Sequence, residues 1–98
     1  MDTDSRPSKQ AIAFNRKLYL AHLIDSGQYS VPSLEEVTGM PRRTIQDTLK
    51  TLSDIGIEVV FTPKPGARHN EGSYQVSSWG PIHKKWVKNH LESIKAVL

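Results

Sequence analysis

The sequence predicts one small domain of the α+β class, mainly α, in which three helices are followed by a β-hairpin and a closing helix. Three observations predict it. Apolar residues recur at helical spacing in the stretches 8–26 and 41–55, apolar and polar residues alternate over 57–62 and 73–78, and glycine or proline stands where one pattern gives way to the next. A chain of 98 residues has room for a single core. Such a domain buries a little over ~60% of the surface its unfolded chain would expose, enough to fold alone with modest reserve.

Residues 1–7 read as a polar tail, 8–80 as the domain proper, and 81–98 as a helix that packs on it or forms a dimer contact. The first helix, 8–26, holds no Gly or Pro and stops at Gly27. Ala11, Phe14, Leu18 and Ala21 form one stripe on it; Ile12, Tyr19 and Leu23 form a second, with Leu20 and Ile24 beyond. A helix apolar on more than one face must be covered from two sides, as the scaffold of the domain or partly by a second subunit.

Ser33 and Glu36 stand at capping-box spacing and predict the start of a short second helix, with Leu34 and Val37 inward and Gly39 ending it. Pro41 suits the first turn of a third helix, because its fixed φ is helical and its missing N–H would be unpaired there. That helix, 41–55, buries Ile45, Leu49 and Leu52 and ends at Gly56. In the first strand Ile57, Val59 and Phe61 alternate with Glu58, Val60 and Thr62; in the second, Tyr74 and Val76 carry the pattern. The connection 63–72 is too long for a tight turn and rich in turn residues. From Pro81 a final helix puts Ile82, Trp86, Leu91, Ile94 and Leu98 on one side and Lys84, Lys85, Lys88, Glu92 and Lys95 on the other.

Charge is unevenly divided. Residues 1–40 carry four Lys/Arg against five Asp/Glu, whereas 41–98 carry nine against five, so the net charge of +3 resides in the second half. This favours an anionic partner. Cysteine is absent, which excludes disulfides and thiolate metal sites and makes a reducing cytoplasm the simplest compartment. The acidic start of the chain lacks the pattern of a signal peptide, and no stretch approaches the ~18 apolar residues of a membrane span. Neither a nucleophile elbow, a zinc-protease helix nor a phosphate-binding glycine loop occurs, so the expectation is a protein that is not an enzyme. No cofactor is expected, and no metal: His83 and His90 would sit roughly 10.5 Å apart along a helix axis. Trp79, Trp86, Tyr19 and Phe14 read as core or subunit-interface residues rather than an effector pocket.

The segment 34–52 reads L-x-x-V-T-G-M-P-R-R-T-I-x-x-x-L-x-x-L. It resembles the helix-turn-helix of bacterial winged-helix transcriptional regulators, such as the IclR and MarR-like families, through Leu34, Val37, Gly39, Met40, Pro41, Thr44, Ile45, Leu49 and Leu52. The resemblance implies a winged helix-turn-helix fold and double-stranded DNA as partner, with helix 41–55 in the major groove and loop 63–72 as the wing. With its aliphatic stripe inward, that helix would offer Arg42, Arg43, Thr44, Gln46, Asp47 and Lys50 to DNA. Arginine can grip guanine or phosphate, and glutamine can pair with adenine. Asp47 would accept from cytosine or pair along the helix with Arg43 or Lys50. In the wing, Lys64, Arg68 and His69 are placed for phosphate or the minor groove. Surplus apolar surface on the first and last helices suggests a homodimer on a pseudo-palindromic site. The competing reading is a winged-helix module that binds protein instead of DNA.

Overall fold

The computed structural model describes residues 7–66 and 72–98. Arg68 and His69, and all but the last residue of the expected tail 1–7, lie outside the described residues. The elements run α1 (Lys9–Ser26), α2 (Val31–Thr38), α3 (Arg42–Thr51), a 3-10 turn (Leu52–Ile55), β1 (Glu58–Pro63), β2 (Gly72–Ser78), α4 (Lys84–Asn89) and α5 (Leu91–Val97).

α1 begins where Ser8 accepts the Ala11 N–H on its hydroxyl at 3.0 Å. It is the scaffold its two apolar faces require. Leu20, Ala21 and Ile24 enter a core with Val31, Leu34, Ile45, Leu49, Leu52 and Ile57. Around the other side, Leu18 packs with Val87 of α4 and Ile94 of α5. Ile55, Trp79 and Ile82 touch both clusters and join them. Burying each large aliphatic side chain is worth about 1.5–3 kcal/mol, so most of the stabilisation gathers on the α2–α3 side.

The capping box of α2 lies one turn earlier than the expected Ser33–Glu36 pair. Ser30 is the cap: its hydroxyl accepts the Ser33 N–H at 3.3 Å, and the Ser33 hydroxyl accepts the Ser30 N–H at 2.8 Å. Pro32 can stand inside the first turn because the N–H it lacks would have no partner in the helix. The helix meets the core through Val31 and Leu34, and Val37, in its last turn, is 52% exposed where an inward position is expected. Gly39, at φ 73°, ends the helix and sends its N–H to the Glu35 carbonyl at 2.9 Å.

α3 starts at Arg42, one residue after Pro41, and the expected helix over 41–55 tightens into the 3-10 turn for its last four residues. Gly56, at φ 85°, closes it and lies so near Pro81 that a Cβ would come within 2.5 Å of the ring. This contact ties the end of the α3 segment to the exit of the hairpin.

β1 and β2 are antiparallel, with Val59 opposite Val76, Phe61 opposite Tyr74 and Pro63 opposite Gly72, and an irregularity between Glu58 and Val59. Tyr74 donates its N–H to the Tyr29 carbonyl at 2.9 Å, anchoring the hairpin to the α1–α2 connection. The expected alternation weakens outward along β1. Ile57 is fully buried and Val59 half-buried, but Phe61 is exposed, because the hairpin projects beyond the core.

The single closing helix expected from Pro81 is two short helices meeting at His90. The His90 ring nitrogen Nδ1 lies 2.7 Å from the Trp86 carbonyl, the oxygen that an unbroken helix would offer to the His90 N–H, and that N–H turns to Val87 instead at 3.1 Å. Ile94 is buried and Leu91 half-buried as expected, but Val87 is buried in place of Trp86, and Leu98 is exposed. Trp86 is therefore 50% exposed, its ring stacked on His90 with centroids 4.0 Å apart. No helix among the described residues is long and apolar enough to cross a membrane.

Candidate nucleic-acid interface

α3 divides its surface sharply because its apolar residues recur every three to four positions. Ile45 and Leu52 are wholly buried and Leu49 nearly so, while Arg42, Arg43, Gln46, Asp47 and Lys50 are exposed. Two of its three threonine hydroxyls turn back onto the helix: Thr48 donates to the Thr44 carbonyl at 2.7 Å and Thr51 to the Asp47 carbonyl at 2.8 Å. The outward face is thus left to charged and amide side chains. No side chain caps the N-terminus of α3, so its first backbone N–H groups and the adjoining Arg42 and Arg43 make one cationic end.

The turn into α3 is held from within. The Thr38 hydroxyl donates to the Leu34 carbonyl at 2.7 Å and accepts the Met40 N–H at 3.1 Å, so a single side chain bridges the end of α2 and the approach to α3. Pro41 adds a fixed φ of −60° at the last extended position. α2 and α3 consequently meet across a tight, hydrogen-bonded corner with α3 presented outward.

Seven of the nine candidate residues are described, and they divide among four places. Gln46 and Lys50 line a cleft of about 630 Å³ between α3 and the hairpin, whose other wall is formed by Glu58, Val60, Phe61 and Tyr74. Arg42, Arg43 and Asp47 stand on the open face of α3 and line none of the described clefts. Lys64 is exposed and belongs to a separate recess of about 540 Å³, shared with Ser30, Pro32 and Ser33 at the start of α2. Thr44 is half-buried and faces a third cleft, behind α3, with Tyr19 and Lys95. Arg68 and His69 fall outside the described residues. The alternative role of Asp47 as an intrahelical partner is not realised. Among the described residues the ion pair formed is Lys84 with Asp25, at 2.8 Å.

This order of elements, with an amphipathic third helix behind a tight turn and a hairpin beside it, is matched by a family profile described as "Winged helix-turn helix" over residues 9–98. The chain belongs to the winged helix-turn-helix family. It is also similar to a crystal structure of a DUF2131 family protein from Shewanella amazonensis SB2B, with 50% identity over 94% of each chain and a TM-score of 0.86. No curated protein matches it. A winged helix-turn-helix domain suggests DNA as partner.

Two sets of neighbours lie outside the helix-turn-helix pattern of the sequence. One is the hairpin wall facing α3, where Phe61 and Tyr74 pack with ring centroids 4.9 Å apart. Its signal was the alternation in both strands, which gives Phe61 and Tyr74 one face once β1 and β2 pair. The other is the flank of α1 against α4 and α5, where charges from three helices converge on His22. Burial lowers the pKa of His22 from 6.5, Asp25 opposes that shift, and Lys88, Lys84 and Lys95 reinforce it. That convergence depends on tertiary packing and leaves no local pattern.

Proposed function

We propose that this protein is a transcription regulator that binds double-stranded DNA sequence-specifically by laying α3 in the major groove, in the manner of the bacterial winged-helix regulators its helix-turn-helix resembles. The observation that carries the reading is the division of α3: an aliphatic stripe fixed in the core and Arg42, Arg43, Gln46, Asp47 and Lys50 exposed on the other side. An α-helix fits the B-DNA major groove, where arginine takes guanine O6 and N7, glutamine takes adenine N6 and N7, and a carboxylate accepts from cytosine N4. Arg42 and Arg43 beside the uncapped helix start suit the polyanion as well as the bases. Lys64, with Arg68 and His69 of the same loop, serves as the wing contact to phosphate or minor groove. Exposed Phe14, Trp86 and Leu98 on α1 and the C-terminal helices support a homodimer, which would read two half-sites on one face of the duplex.

A second reading, a module that binds protein, is favoured by one feature. The cleft between α3 and the hairpin is walled by Val60, Phe61, Tyr74 and Glu58, a lining better suited to a peptide than to phosphate. Selection of bound duplexes from a random library, followed by a salt titration of the selected site, separates the two. DNA reading requires a steep fall of log affinity with log salt, and Arg42→Ala with Arg43→Ala should abolish specific binding while the unfolding midpoint holds. A flat salt response, or equal affinity of the double variant, favours the protein-binding reading.

A further inference from the structure

We propose that the cleft behind the start of α3 is a binding site for a small amphipathic monoanion, a carboxylate or sulfonate carried on a single ring or short hydrocarbon chain. The cleft measures about 410 Å³, toward the small end of the ~300–1,000 Å³ range of ligand pockets. Its walls come from three parts of the fold: α1, the α2–α3 corner and α5.

The chemistry of the lining selects the ligand. Arg16 of α1 and Lys95 of α5 each contribute a cation, and no Asp or Glu is among the described lining residues. Two cations bordering one cavity repel each other, and a shared anion reverses the sign of that interaction. The hydroxyl groups of Tyr19 and Thr44 add donors able to bind the remaining oxygens of an acid group. Ile12, Met40 and Pro41 supply the apolar surface, which a hydrated inorganic anion would leave unfilled and a hydrocarbon body would cover.

Because Pro41 and Thr44 border the cleft, a ligand there touches the first turn of α3. The site is defined by its own lining and stands whether or not α3 reads DNA.

Titration of the uniformly ¹⁵N-labelled full chain with octanoate, octan-1-ol and inorganic phosphate tests the proposal. Octanoate should produce saturable shifts at the amides of Arg16, Tyr19, Met40, Thr44 and Lys95, with octan-1-ol and phosphate each binding at least about tenfold more weakly. Arg16→Gln combined with Lys95→Gln should weaken octanoate by about tenfold or more without moving the unfolding midpoint. Lys95→Gln alone, at an exposed position of α5, should show part of that loss and serves if the double variant does not fold. Saturable shifts centred instead on Phe14 and Trp86, phosphate binding as tightly as octanoate, no saturation at millimolar octanoate, or undiminished affinity in a folded variant would each overturn it.

Discussion

The two sides of α1 are unequally built. On one side Leu20, Ala21 and Ile24 meet residues from α2, α3 and the approach to β1 in a core of nine buried side chains; on the other, Leu18 meets only Val87 and Ile94 among the buried ones. The difference teaches where the fold is rigid and where it is free to respond. The helix proposed to meet DNA is fastened to the larger core, while α4 and α5 are short helices held by few buried contacts, the kind of segment that opens locally before the domain unfolds.

The most severe test of that contrast is Ile45→Ala. Truncating a fully buried branched side chain costs about 2–5 kcal/mol, a large share of the stability of a domain this size. Denaturant unfolding should show a single cooperative transition at a much lower midpoint. Ile94→Ala removes an equally buried side chain but should cost less than about 2 kcal/mol, because detachment of α5 limits the loss. Hydrogen exchange would locate its effect in α4, α5 and the Leu18 face of α1. If Ile94→Ala lowered protection across α2 and α3 as strongly as Ile45→Ala, the two clusters would be one cooperative core and the contrast would fail.

The same contrast explains which parts of the molecule were legible in the sequence. Ile45, Leu49 and Leu52 lie in one continuous helix against a large core, so spacing alone identifies the buried face and hence the exposed one. In the C-terminal segment the spacing is ambiguous, since Trp86 and Val87 are adjacent and each begins a plausible stripe. Packing buries Val87, and the helix that the Trp86 stripe assumed breaks at His90, whose ring nitrogen lies against the Trp86 carbonyl. The seven described candidate site residues follow the same division. Those on α3 were assignable from period, whereas the recess beside Lys64 and the cleft that receives Thr44 join segments far apart in sequence.

The start of α2 offers a finer test, since Ser30–Ser33 and Ser33–Glu36 both satisfy the spacing of a capping box. In the structure Ser30 is the cap, with its hydroxyl toward the Ser33 N–H. Ser30→Ala should therefore cost about 1 kcal/mol, while Glu36→Ala, at an exposed position within the helix, should leave the urea midpoint nearly unchanged. The reverse order would restore the later start. This effect lies on the larger-core side and should appear as global destabilisation.

The smallest expected effect belongs to the other side of α1, where His22 is lowered from 6.5 chiefly by burial, against Asp25 and with Lys88, Lys84 and Lys95. A histidine whose folded pKa lies below its unfolded value stays neutral in the native state while the unfolded chain takes up a proton. Its contribution is therefore fully present above 6.5 and is lost as pH falls through the lower, folded value. Stability measured at pH values on either side of that window should fall with acidification, and His22→Gln, which cannot take up the proton, should fall less. Hydrogen exchange at the acidic end should show the loss first in α4 and α5, because these helices carry the lysines that bear on His22 and rest on the thinner cluster. An equal fall in both proteins would assign the acid sensitivity to the carboxylates and leave His22 without a part in holding the C-terminal helices.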